Sequence, residues 1–156
     1  MIEGDWSVED GSAQLGTQDG QAFATVDTSS PEADLRVRFD TAAGGAGVVF
    51  RFADARNFWS VWAAEAYGAW VVYRSVDGRS EQVAQAPWSL TPGPANVEIR
   101  MDGRTIRVLI DDRQVAALID RAGAEASARR VGFYSTGSTS AVDARWSELV
   151  VGEFDE

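Results

Sequence analysis

The sequence predicts an all-β domain, a sandwich or barrel built from about a dozen short strands. Three observations carry this. Apolar and polar residues alternate in run after run. The runs are punctuated by clusters of Gly, Asp, Asn, Ser and Pro. The one helix-compatible stretch, Asp120 to Arg129, lacks an apolar stripe and carries Gly123, so it reads as a loop with at most a helical turn.

The elements follow in chain order. Ala22 to Thr28 is the first clear candidate, closed by Ser29-Ser30-Pro31. Ala33 to Thr41 is a half-buried strand, with Leu35, Val37 and Phe39 on one side and Asp34, Arg36, Arg38 and Asp40 on the other. Gly47 to Ala53 and Phe58 to Ala63 flank the turn Asp54-Ala55-Arg56-Asn57. Ala69 to Val76 and Ser80 to Gln85 flank Asp77-Gly78, a pairing typical of a tight hairpin. Pro92-Gly93-Pro94 reads as a turn before Val97 to Met101. Asp102-Gly103 then leads into Thr105 to Ile110, and Asp111-Asp112-Arg113-Gln114 turns the chain into Val115 to Leu118. Arg130 to Ser135 and Val142 to Val151 complete the set. Residues 1–152 are expected to form one domain, and 153–156 an acidic tail that frays.

Composition sets limits on chemistry. Apolar residues make up 45% of the 156, enough to build a core. The formal net charge of −10 argues against nucleic acid and against an anionic membrane surface, since both call for a basic patch. The chain has no Cys, no His and no Lys. Disulfides, thiolate or imidazole zinc sites, Ser-His-Asp triads and Schiff-base lysines are therefore excluded, and only a hard cation with oxygen ligands, such as Ca²⁺, stays open. All 14 basic residues being Arg, with abundant Ala, Gly and Val, suggests a GC-rich genome. The opening Met1-Ile2-Glu3-Gly4-Asp5-Trp6 has neither the basic nor the apolar region of a signal peptide, and no apolar run has the length of a membrane span.

Several segments, taken in order, resemble a known family. They are Gly4-Asp5-Trp6-Ser7-Val8, the run from Gly47 to Val61, the strand and turn from Trp70 to Gly78, the hairpin around Asp102-Gly103, Val131 to Tyr134, and the last strand around Trp146. In this order they resemble concanavalin A-like jelly rolls, specifically the bacterial and phage laminin-G-like domains. The resemblance implies two antiparallel sheets, one gently concave, with the first and last strands side by side. It speaks to fold more than to function; recognition or adhesion is favoured over catalysis mainly by the missing His, Cys and Lys and the missing carboxylate triplet.

Candidate site residues follow from strand alternation. With Phe50, Phe52, Trp59 and Val61 on the core side, Arg51, Ser60 and Trp62 share the opposite face. With Trp70 and Val72 in the core, Tyr73 joins them. Arg51, Trp62 and Tyr73 then form a platform suited to a pyranose ring and its hydroxyls, or a surface that packs on another protein. Asp54 and Asn57 are rim candidates for a ligand, but both residue types also suit a tight turn. Trp6, Trp88 and Trp146 are assigned to core or strand-edge packing.

For Ca²⁺ the candidate carboxylates are Asp10, Asp27, Asp40, Asp120 and Asp143, with no local loop motif to select among them. Glycoside hydrolases of the same fold place three carboxylates on one strand face; no strand here carries such a run, and a pair such as Glu65 with Asp34 is selected by nothing local. The leading expectation is a non-catalytic recognition or adhesion module for a glycan or a protein, either as a homo-oligomer or alone. A concrete form is a head-decoration or minor tail protein of a phage, and hence a virion location; otherwise the chain is cytoplasmic or a trimmed secreted domain. A purely structural assembly subunit and a glycoside hydrolase are the alternatives. The start at Met and the end just past the last strand read as a complete small gene product.

Overall fold

The computed structural model describes residues 2–3, 6–9, 12–15, 21–27, 34–42, 45–64, 69–89, 93–102, 105–119, 130–136 and 145–152. They form β1 (Ile2–Glu3), β2 (Trp6–Glu9), β3 (Ser12–Leu15), β4 (Ala22–Asp27), β5 (Asp34–Ala42), β6 (Ala46–Asp54) and β7 (Asn57–Ala64). These are followed by β8 (Ala69–Val76), β9 (Arg79–Ser89), β10 (Gly93–Asp102), β11 (Thr105–Ile110), β12 (Arg113–Ile119), β13 (Arg130–Ser135) and β14 (Arg145–Gly152). Among these residues no helix is long and apolar enough to cross a membrane.

The strands make two antiparallel sheets. Sheet A has the order β1-β4-β13-β6-β7-β8-β9, and sheet B the order β12-β11-β10-β5-β14-β3-β2. The alternation read from the sequence does its work in sheet B: Leu35, Val37 and Phe39 of β5 and Val97 and Ile99 of β10 are fully buried, while Arg36 and Asp40 are exposed. The main core lies between the sheets and joins these residues to Val48, Phe50, Trp59, Val61, Trp70 and Val72 of sheet A. Trp146 ties the layers together. Its ring is buried against Trp6, Phe39 and Phe133, and its indole Nε1–H donates to the Gly47 carbonyl of the other sheet at 3.0 Å.

The tight hairpins use the left-handed region. Asp77 and Gly78 have φ of 51° and 82°, and Asp111 and Asp112 have φ of 49° and 68°. Two consecutive positive φ values match the right-handed twist of the flanking strands. At the second hairpin the Asp111 carboxylate helps by accepting from the Asn96 N–H.

Three expectations are corrected. The first and last strands are not neighbours: β1 lies at an edge of sheet A, and β14 is inside sheet B between β5 and β3. Pro92-Gly93-Pro94 is not wholly a turn, because β10 begins at Gly93 and pairs with β5 through an irregularity between Gly93 and Ala95; Pro94, which has no N–H to give, sits inside that irregularity. Phe52 is not on the core side. A register shift interrupts the pairing of β6 with β7 between Phe50 and Asp54, and Arg51 within it has φ 45°. Arg51, Phe52 and Ala53 oppose Phe58 alone on β7, and this bulge reverses the alternation, so Phe52 packs with Phe23, Phe58 and Tyr134 on the far side of sheet A.

Candidate functional site

Sheet A is apolar on both faces. Its outer face, turned away from sheet B, carries a second cluster of Phe23, Val49, Phe52, Phe58 and Tyr134, against which Trp62 packs. The rings interlock at centroid distances of 5.0 Å (Phe23–Phe52), 5.2 Å (Phe23–Phe58) and 5.5 Å (Phe58–Tyr134). Burial pushes the Tyr134 hydroxyl up to about 12, against the pull of the hydrogen bond it accepts from Gln21. Sequence alternation alone missed this cluster; its signal was the density of Phe in β4, β6 and β7, hidden by the bulge at Arg51.

Trp62 and Tyr73 sit where this apolar field meets the edge of the sheet. In the pairing of β7 with β8, Trp62 lies opposite Val71 and Ser60 opposite Tyr73. The two large rings therefore occupy one diagonal and two small side chains the other. Ser60 and Val71 are fully buried, whereas Trp62 and Tyr73 are half-buried. The rings meet at 5.2 Å with a 40° tilt. On the other side, Trp62 lies opposite Gly47, where any side chain would run into the Val61 carbonyl and the Trp62 backbone. Gly47 thus lets Trp62 lie close to the sheet. The Tyr73 hydroxyl donates to Gln82 Oε1 at 3.3 Å across to β9, and Gln82 is exposed. The result is a tilted aromatic pair with a hydroxyl and a primary amide at its rim.

The other sequence candidates fall elsewhere. Arg51 is 1% exposed, so its guanidinium is not presented beside the aromatic pair as the alternation implied. Asp54 and Asn57 build the turn between β6 and β7: Asp54 Oδ1 accepts from the Arg56 N–H at 2.8 Å and from Asn57 Nδ2 at 3.0 Å. The hydrogen bond from the Arg56 N–H, with help from Asn57, holds the Asp54 carboxyl below its ordinary value of 3.8 against the opposing effect of burial. Asn57 Oδ1 accepts from the Asp77 N–H and Arg56 reaches the Asp77 carbonyl, so this turn clasps the hairpin between β8 and β9. A shallow cavity of about 540 Å³ beside that hairpin is lined by Arg74, Val76, Asp77, Arg79, Ser80 and Glu81, and does not include the aromatic pair.

Among the described residues no three acidic side chains converge as a cation site would require. Asp27 pairs with Arg130 at 3.1 Å, and Asp40 stands 3.8 Å from Arg38. Asp10, Asp120 and Asp143 lie outside the described residues, as does Glu65. Its suggested partner, Asp34, accepts from the Met101 N–H at 3.0 Å. Of the three remaining tryptophans, Trp146 is buried, Trp6 is half-buried against it, and the Trp88 side chain lies outside the described residues.

No family model and no curated protein matches the chain. Solved structures do. The chain is similar to the carbohydrate-binding module CBM66 from Bacillus subtilis, with a TM-score of 0.70 and 16% identity over 98% of this chain and 94% of that one. It is similar to the GH43 protein BlXynB from Bacillus licheniformis, with a TM-score of 0.72 and 14% identity, covering 96% of this chain and 35% of that chain. It is also similar to a tetrameric galectin from the ball sponge Cinachyrella sp., with a TM-score of 0.64 and 10% identity over 84% of this chain and 99% of that one. At these identities the likeness establishes the fold, a concanavalin A-like jelly-roll sandwich.

Proposed function

We propose that residues 1–152 form a non-catalytic glycan-recognition module whose contact surface is the outer face of sheet A at Trp62 and Tyr73. The observation that carries this reading is the half-buried pair itself, two rings 5.2 Å apart over a bed of small side chains, with the Gln82 amide at the rim. Flat aromatic faces take the C–H faces of sugar rings, and the flanking hydroxyl and amide suit sugar hydroxyls. A carbohydrate-binding module and a galectin among the structural neighbours support the same reading.

In its finer form the proposal places the module at a virion surface, as a phage head-decoration or minor tail protein. Composition and the laminin-G-like resemblance support that form. A gene lying outside any cluster of capsid and tail genes would count against it.

The test of the site is a glycan array followed by calorimetry, with wild type and Trp62→Ala compared. Losing one stacked ring is expected to weaken binding by about tenfold or more. A wild type that binds no glycan, or a Trp62→Ala variant that binds unchanged, overturns the reading. In the first case Trp62 and Tyr73 become a protein-packing surface, and the chain a structural subunit.

A further inference from the structure

The same outer face also limits what kind of sugar fits, an inference that rests on the glycan reading. Its geometry restricts length. Toward β4 and β13 the face is closed: Phe23, Thr25, Val49, Phe52, Phe58 and Tyr134 are all 5% exposed or less. The accessible side chains begin at Trp62 on β7 and run through Tyr73 on β8 to Gln82 on the edge strand β9. That is two inter-strand spacings, about 10 Å. The span accommodates one or two linked pyranose rings, and among the described residues no exposed aromatic side chain lies further along this face for a third.

Charge restricts chemistry. The polar atoms beside the rings, the Tyr73 hydroxyl and the Gln82 amide, are neutral. The cations described on this face are committed elsewhere: Arg51 is buried, and Arg130, four strands from Tyr73's partner β9, is paired with Asp27 at 3.1 Å. The chain as a whole carries −10. A carboxylate or sulfate on a sugar would meet a repulsive field, with no guanidinium among the described residues presented to it at the rings. We infer that the site takes a short, uncharged saccharide of one or two pyranose rings and discriminates against uronic, sialylated and sulfated glycans.

The experiment is calorimetry with glucose, mannose and galactose oligomers of one, two, four and six rings, alongside hexuronic-acid oligomers and 6-sulfated disaccharides. Affinity is expected to rise from one ring to two and then stay within about twofold, with the anionic probes weaker by about tenfold or more. Gln82→Ala, an exposed position that leaves the apolar cluster intact, is expected to cost about tenfold on the neutral disaccharide, the effect of one hydrogen bond. Affinity that climbs steadily to six rings, or anionic probes that bind as well as neutral ones, overturns the inference while leaving glycan recognition standing. An absence of binding to every probe overturns both.

Discussion

Glu98 provides a quantitative test of what holds sheet B together. It sits on β10 opposite Arg36 of β5, on the face turned away from the core. Its Oε1 accepts from Arg36 Nε and Nη2 at 2.9 and 2.7 Å, and its Oε2 from Arg100 Nε at 2.6 Å. The Glu98 side chain is 7% exposed, that of Arg100 16% and that of Arg36 45%. Burial pushes the carboxyl up, but the hydrogen bonds from Arg36 and Arg100 pull it down further, so it is held below its ordinary value of 4.5. Glu98→Gln keeps the shape and removes the charge. Breaking a fully buried ion pair costs about 3–5 kcal/mol. Water takes over part of the loss at the half-exposed Arg36, leaving about 2 kcal/mol, most of it from Arg100. In urea unfolding followed by tryptophan fluorescence at neutral pH, this is a midpoint shift of about 1 M for a slope of about 2 kcal/mol per molar. The pH dependence gives a second reading. A depressed folded-state pKa contributes stability that is present above 4.5 and is lost as pH falls through the lower folded value. The gap between wild type and variant should therefore close in acid. A variant as stable as wild type at neutral pH, or a gap that survives unchanged in acid, would refute this account of the Arg–Glu–Arg bridge.

Three further outcomes are expected. Trp146→Phe keeps a ring among Trp6, Phe39 and Phe133 but loses the bond to the Gly47 carbonyl, and should cost about 1–2 kcal/mol by the same urea assay. Phe58→Ala empties the centre of the outer cluster and should cost about 3–5 kcal/mol; a loss under about 1 kcal/mol would mean that this cluster is not a second core. In a spectrophotometric titration, one of the three tyrosines should ionise near 12, and Tyr134→Phe should remove that step. Because the raised value favours the neutral hydroxyl, its contribution is present below pH 10 and is lost as pH rises toward 12, so the variant should also resist alkaline unfolding better than wild type.

Much of the architecture was legible in the residues because a sheet with one wet face writes its period into the chain. The run from Leu35 to Asp40 alternates, and β5 alternates in burial accordingly. Asp77-Gly78 marked a hairpin because Gly takes positive φ without strain. The same logic brought Trp62 and Tyr73 to one face, where the rings meet. The pattern was weaker in β6, where Ala46 to Phe52 is buried on both sides, so polarity no longer distinguishes in from out.

By itself the sequence determined the class of the fold, most strand positions and the exclusion of imidazole, thiolate and lysine chemistry, since these follow from local period and from residue types. Only the tertiary structure decided which face Phe52 occupies, that Arg51 is buried, and that Asn57 and Arg56 bind a neighbouring hairpin. The physical reason lies in the bulge. The positive φ at Arg51 turns Phe52 to the outer face while Trp59 and Val61 of β7 stay in the core, and the pairing that selects it joins β6 to β7 and β13, the latter about eighty residues away in sequence.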